Sequence, residues 1–350
     1  MVEIGCFISI LLIIGGFLLK NNKPWMLIQI LWIWILLAFN DGGMDYDGNK
    51  AIFDNIDFII QIDFGLSEWL NSYLASWLLN SGWNFEEYNI LLSTTSLMVI
   101  FYFAYKKCNN INVFLSLFML YPLVFLVIQK RYFWSIGFCL LSFLFLERRK
   151  KIKSVLTLFL ATGFHISAVF FLPYMILVNK KCSYLYILFA IIELGIILFY
   201  RDYIILLMGS DSSKALEYTT SEISFFGAAF FVCFQLILIW LISKMTNNQK
   251  VCLPNEQRNI FFLYNLNIVS LLYMPLLLLN SIFFRYYRAI ILFGYCFIAD
   301  NINSKYEKSI YMYIVSIIIF ISVLLSFGKF GWEDHLNTLF KYNTLLRIID

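Results

Sequence analysis

Residues 111–153, INVFLSLFMLYPLVFLVIQKRYFWSIGFCLLSFLFLERRKKIK, read as two neighbouring membrane-crossing helices with their flanking charges. The runs 111–128 and 132–146 contain no charged residue, and only Gln129-Lys130-Arg131 separates them. A helix needs roughly 20 apolar residues to cross a hydrocarbon core of about 30 Å. The run Glu147-Arg148-Arg149-Lys150-Lys151-Ile152-Lys153 closes the pair, and lysine and arginine mark the cytoplasmic side of a span. The whole chain repeats this pattern. Of its 350 residues 61% are hydrophobic and only 14% charged, against about 25% charged in soluble domains. Such a composition excludes a soluble globular protein. A net charge of +4, spread in short clusters between apolar runs, is not a nucleic-acid footprint.

Working outward, spans fall at 2–19, 25–39, 88–105, 111–128, 132–146, 152–178, 183–200, 223–243, 259–280, 285–299 and 309–327. The expected fold is all-α: one integral-membrane domain over 1–350, a polytopic transmembrane bundle of about 11–12 segments. The first run has no basic n-region and no small-residue cleavage site, so it reads as a retained helix. Lys20/Lys23, Lys106/Lys107 and Arg148–Lys153 recur at every second junction and face the cytoplasm. The segment 40–88 then faces outward, with Asp41, Asp45, Asp47, Asp54, Asp57, Asp63, Glu68, Glu86 and Glu87 against a single Lys50. It also holds amphipathic stretches such as Ser67–Leu74, suited to lying along the outer interface or lining a cavity mouth.

The run 152–178 is long, and Gly163-Phe164-His165 interrupts it. A single crossing would put Lys180/Lys181 and Lys244/Lys250 outside, against the positive-inside rule. A re-entrant hairpin of two half-helices returns them, with Lys305/Lys308, to the cytoplasm. About 14 residues at 1.5 Å each reach roughly 20 Å, which lifts His165 into the outer half of the bilayer. A broken helix at that depth is tolerated where it lines protein or water. The tail 328–350, with Trp332-Glu333-Asp334-His335, reads as an interfacial helix on a side set by the hairpin.

Only His165 and His335 supply imidazole. An ionisable group at membrane depth usually faces a cavity, so His165 either caps the break near Gly163 or does chemistry. Arg131 with its neighbours is a snorkelling pair or an anion clamp, because guanidinium takes phosphate oxygens in pairs. Arg285-Tyr286-Tyr287-Arg288 puts two arginines on one helix face beside two tyrosines. Such a set suits headgroup anchoring, or else a lipid diphosphate and a sugar. Gly42-Gly43-Met44-Asp45-Tyr46-Asp47 is a turn whose carboxylates are mostly surface, one or two of them candidates for a general base. Glu193 reads as an interior contact, and Arg201, Asp202, Glu217 and Glu222 as weak candidates. No Walker A, dinucleotide fingerprint or H-E-x-x-H occurs. The seven cysteines show no paired spacing, so neither a disulfide framework nor a metal site is expected.

These features in this order resemble the O-antigen and capsule repeat-unit polymerases (Wzy), in particular the EpsG-like group. Gly43-Met44-Asp45-Tyr46 is similar to that group's G-x-D-Y element, and Glu68-Trp69-Leu70-Asn71-Ser72-Tyr73 to its Glu-led stretch. Arg131 stands where an Arg opens a span, and Ala161-Thr162-Gly163-Phe164-His165-Ile166-Ser167-Ala168 resembles the Ala-x-x-Phe-His-x-Ser-Ala element. Arg285-Tyr286-Tyr287 is similar to the late span-opening Arg with aromatics. Two positions depart: Phe39-Asn40 replace an Arg before G-x-D-Y, and Tyr132 replaces a Gln after the span-opening Arg.

The resemblance implies a GT-C-like polymerase of the bacterial inner membrane, joining undecaprenyl-diphosphate-linked oligosaccharides on the outer face without cofactor or metal. Its partners would be those lipid-linked substrates, membrane lipids, a chain-length regulator and a flippase, with no nucleic acid. On this reading Arg131, Arg285 and Arg288 hold diphosphate, and Tyr46, Tyr286 and Tyr287 face sugar. His165, or else Asp45 or Glu68, is the base. The alternatives are a lipid-linked oligosaccharide flippase, for which two pseudo-symmetric halves are missing, and a membrane acyltransferase of envelope sugars.

Overall fold

The computed structural model describes residues 2–43, 45–63, 68–178, 225–247, 254–278, 281–302, 307–327 and 331–349, with a few more between 188 and 199. The expected span 183–200 lies largely outside them, as do Lys180/Lys181, Lys250, Lys305 and the loop residues Arg201, Asp202, Glu217 and Glu222. The described residues form helices and one isolated bridge, with no strand. In chain order the helices are α1 Val2–Leu18, α2 Lys23–Ala38, α3 Tyr46–Asp54, α4 Ile56–Asp63, α5 Trp69–Asn80 and α6 Phe85–Lys107. Next come α7 Ile111–Leu120, α8 Leu123–Ile128, α9 Lys130–Glu147, α10 Lys151–Phe164, a 3-10 turn Ile166–Phe171 and α11 Leu172–Leu177. The last are α12 Phe225–Asn247, α13 Pro254–Val269, α14 Arg285–Asn301, α15 Glu307–Phe327, α16 Trp332–Leu336 and α17 Thr344–Ile349.

Three helices among the described residues, Phe85–Lys107, Phe226–Met245 and Glu307–Ser326, are long and apolar enough to cross a membrane, and shorter apolar helices accompany them. The chain is thus a helical membrane bundle. Local chemistry sets the helix ends. Asn84 and Glu87 form a reciprocal capping box at the start of α6. Glu86 and Glu87 in its first turn and Lys106 and Lys107 in its last complement the helix dipole. The expected single helix over 111–128 is two, because Pro122 has no N–H to donate and its ring cannot continue α7.

By packing, the chain divides into two compact units. The first takes Met1–Leu172, Leu292–Ser304 and Ile317–Asp350; the second takes Pro173–Ile291 and Lys305–Ser316.

In the first unit, α2 and α6 run antiparallel, tied by Trp34 Nε1 donating to Thr94 Oγ1 at 2.8 Å and Ser93 Oγ donating to Leu37 O at 3.0 Å. Helices α9 and α10 pair through Ser142 and Ser154, each hydroxyl donating to the other's carbonyl at 2.8 Å. Small residues permit this close approach. The basic end of the unit carries a largely buried Lys107–Glu147 ion pair. There Asp300 accepts from the Asn109 amide at 2.7 Å, and Cys108 is disulfide-bonded to Cys296. That bond corrects the expectation from cysteine spacing. The partners are 188 residues apart in sequence and meet only because a helix end and α14 pack together.

The opposite end holds Phe39–Gly43, Asp45, the start of α6 and the C-terminal residues from Gly331 on. Asn40 pairs with Asn343 in the isolated bridge. The Asp41 amide donates to Tyr342 O at 2.9 Å, the Thr344 amide donates to Phe39 O at 2.8 Å, and Arg347 pairs with Asp41. Gly43, at φ +91°, lies directly on Thr338, where any side chain would collide. The tail is therefore a strap over the G-x-D-Y turn, on the face that carries the acidic loop.

Candidate active site

The chain reverses direction at His165. Going up α10, Phe164 meets Trp134 with ring centroids 3.7 Å apart, and the His165 ring meets Tyr132 edge-on at 5.4 Å. Six residues later Phe171 packs edge-on against Phe143, at 5.4 Å, eleven residues back down α9 from Tyr132. The chain turns back on itself here, and a single extended residue, His165 at φ −155° and ψ 123°, makes the turn. Gly163 does not break the helix as its position suggests; α10 continues through it to Phe164. Its role is contact, since a Cβ there would stand 2.8 Å from Leu70 Cβ and 2.9 Å from Trp69 Cε2. The bare backbone lets the start of α5 lie against the end of α10.

That approach brings Glu68, just before α5, to the turn. Glu68 takes a left-handed backbone at φ 56° and makes no capping bond with its own helix. Its carboxylate instead receives Arg131 Nη1 on Oε2 at 2.7 Å, while Oε1 lies 3.6 Å from His165 Nε2. Arg131 Nη2 also donates to Asn49 Oδ1 at 3.2 Å. Side-chain exposures of 15% for Glu68, 27% for Arg131 and 17% for His165 leave the cluster half-open. Below it Phe53, Phe85, Tyr88, Leu92 and Trp134 form a dry floor that also takes Phe164. Three residues singled out in sequence thus converge from three separate segments.

Asp45 precedes α3 in the same left-handed conformation, φ 62°, without a capping bond. Tyr46 donates to Glu86 Oε1 at 3.0 Å, and Lys50 reaches the same oxygen at 3.2 Å. Burial, and then the Glu86 carboxylate, raise the Tyr46 phenol above its ordinary range. Neither Asp45 nor Tyr46 touches Glu68 or His165 directly; α3 joins the cluster through Asn49. Sequence reasoning missed Asn49, since an asparagine in a loop of acids carries no signal of its own. It also left Lys130 undivided from Arg131. Lys130 turns away, buried, with its ammonium 3.5 Å from Asn40 O.

Arg285, Tyr286, Tyr287 and Arg288 open α14 in the second unit, and both tyrosines and Arg288 are buried. The Tyr287 hydroxyl donates to Asn267 Oδ1 at 2.5 Å. Tyr286 rests against Phe283 at 5.7 Å and Tyr273 at 6.3 Å. With Tyr174, Gln235 and Ser270 these tyrosines line a narrow crevice of about 10 Å³, room for a single water.

The fold and this cluster define a helical membrane protein with a carboxylate, a guanidinium and an imidazole gathered at one end of its first unit. The chain belongs to the EpsG family, which matches residues 23–344, nearly its whole length. EpsG-like proteins are the family of Wzy-type polymerases, so the chain falls among membrane polysaccharide polymerases. No curated protein and no solved structure matches it.

Proposed function

We propose that the protein is a multi-pass, GT-C-like glycosyltransferase of the bacterial inner membrane. It joins undecaprenyl-diphosphate-linked repeat units into O-antigen, capsule or exopolysaccharide on the outer face. The observation that carries this reading is the Glu68–Arg131–His165 cluster, half-open and at the end of its unit opposite Lys107 and Arg148. The positive-inside rule assigns that basic end to the cytoplasm, which leaves the cluster facing out.

The chemistry needs few parts. The donor sugar already carries a diphosphate leaving group, so no nucleotide is required. A carboxylate or imidazole receives the acceptor's hydroxyl proton, and fixed cations stabilise charge on the departing diphosphate. Glu68, His165 and Asp45 are the candidate bases. Arg131 uses two of its five N–H donors on Glu68 and Asn49, which leaves the others for an anion. Arg285 and Arg288 are proposed for diphosphate and Tyr46 for sugar; Tyr286 and Tyr287 are proposed for sugar on condition that their crevice, which has room for one water, widens to admit it.

Deleting the gene in a strain that makes the polysaccharide tests the reading. Single repeat units should remain on the surface, and the plasmid-borne gene should restore the ladder. Surfaces bare of the repeat would favour a flippase, and full-length chains an acyltransferase.

A further inference from the structure

Within the polymerase reading, on which this step rests, we infer that Glu68 takes the proton from the acceptor hydroxyl and that His165 is a positioning residue. The inference comes from what each ring nitrogen faces. His165 caps the 3-10 turn Ile166–Phe171, and its Nδ1 accepts from the Ser167 amide at 3.2 Å. A nitrogen that accepts carries no proton, so the neutral ring holds its proton on Nε2. That N–H faces Glu68 Oε1 at 3.6 Å. Catalytic pairs are commonly this long before substrate binds.

In this tautomer the imidazole has no lone pair to offer an incoming hydroxyl. One nitrogen is committed to the backbone, and the other points a hydrogen at a carboxylate. To act as base, His165 would have to release Ser167 and undo the cap that makes the turn. Tyr132, edge-on at 5.4 Å, flanks the ring.

Glu68 is in the complementary situation. Two carboxylate oxygens supply about four acceptor directions; Arg131 occupies one on Oε2, and His165 Nε2 stands 3.6 Å from Oε1. The residue also holds a left-handed backbone at φ 56°, a strained conformation for a non-glycine. Forgoing its own helix cap while in that conformation aims the side chain at the cluster. In the reaction the acceptor oxygen bonds to the anomeric carbon. The bond from that carbon to the diphosphate oxygen breaks, its electron pair leaving with the lipid diphosphate. The hydroxyl proton passes to the Glu68 carboxylate and from there to water on the open side. A carboxylate is a weak base toward a free alcohol. It suffices because the hydroxyl becomes acidic as its oxygen bonds to carbon.

The test is initial polymerisation rate in purified, reconstituted protein. Glu68→Gln keeps the shape and should lower kcat by about 10²–10⁴-fold. Glu68→Ala should recover part of the rate when sodium formate supplies a free carboxylate. His165→Asn retains an acceptor for the Ser167 amide and should stay within about tenfold of wild type. His165→Ala, which loses the cap, should fall further and gain nothing from added imidazole. The assignment is overturned if imidazole rescues His165→Ala while formate leaves Glu68→Ala dead. It is overturned equally if His165→Asn is inactive and Glu68→Gln is not. Failure of the wild-type protein to lengthen lipid-linked repeats is a different result, because it removes the polymerase reading itself.

Discussion

Placing one methyl group at Gly163 should disable the cluster from outside it. The added carbon of Gly163→Ala would sit 2.8 Å from Leu70 Cβ and 2.9 Å from Trp69 Cε2. Carbons pack at about 3.5–4.0 Å, so the start of α5 must retreat by roughly 1 Å. Leu70 Cβ is bonded to backbone and cannot swing aside, which makes the shift a movement of the helix. Overpacking of this kind costs about 1–3 kcal/mol, affordable for a bundle that stays folded. Glu68 lies one residue before Trp69 and moves with it, lengthening its 3.6 Å separation from His165. A misplacement of about 1 Å at reacting groups costs on the order of 10²-fold in rate. The assay is the polysaccharide ladder and the initial rate at matched membrane levels. Gly48→Ala serves as control, since a Cβ there meets nothing within 4 Å. A Gly163→Ala protein that polymerises at the wild-type rate would refute the claim that the α5–α10 contact sets the site.

The C-terminal strap should matter although it lies far from the cluster in sequence. Asn343→Ala strips the Ile35 carbonyl of a part-buried 2.8 Å bond from a fully buried amide. It should lower stability by about 1–3 kcal/mol, read by SDS-induced unfolding in mixed micelles, and an unchanged midpoint contradicts it. Lys130 gives a pH signature: burial lowers its ammonium to about 7, opposed by Asp41. The unfolded lysine titrates near 10.4, so between about pH 7 and 10 the unfolded chain binds one more proton and stability rises by about 1.4 kcal/mol per unit. Lys130→Met should flatten that slope, and a wild-type profile already flat over this range rules it out. Glu147→Gln removes the carboxylate paired with Lys107, leaving only the more distant Asp300 to offset its charge, and should cost about 1–3 kcal/mol, so wild-type resistance to unfolding would be inconsistent with the pair.

Much of the fold was legible because solvation acts on composition before it acts on shape. Sustained apolar runs and alternating basic junctions required a helical membrane bundle. The excess of lysines on the wrong side of a single crossing pointed to the reversal at His165. Details that depend on one residue's stereochemistry were less visible. Gly163 looked like a helix breaker, yet tolerance of glycine within a packed helix and the demand for close approach made it a contact point. Pro122 divided a run that hydropathy alone joined. Cys108 and Cys296, like Asn40 and Asn343, are neighbours only after the helices pack, so no spacing rule announces them.

For the site, the residue types were legible and their pairings were not. Glu68, Arg131 and His165 stood out as charges and an imidazole in apolar or amphipathic surroundings. That Glu68 would join the other two depended on its left-handed backbone, which a glutamate does not advertise. Asn49 was hidden because its value lies wholly in what it holds.

Reconstitution of the purified protein in liposomes with chemically defined, lipid-diphosphate-linked repeat units is the most direct trial. Gel separation of the extracted glycolipids should reveal multiples of the repeat with the wild-type chain and single repeats alone with Glu68→Gln. Identical ladders from the two proteins, or no product longer than one repeat from either, would contradict the account.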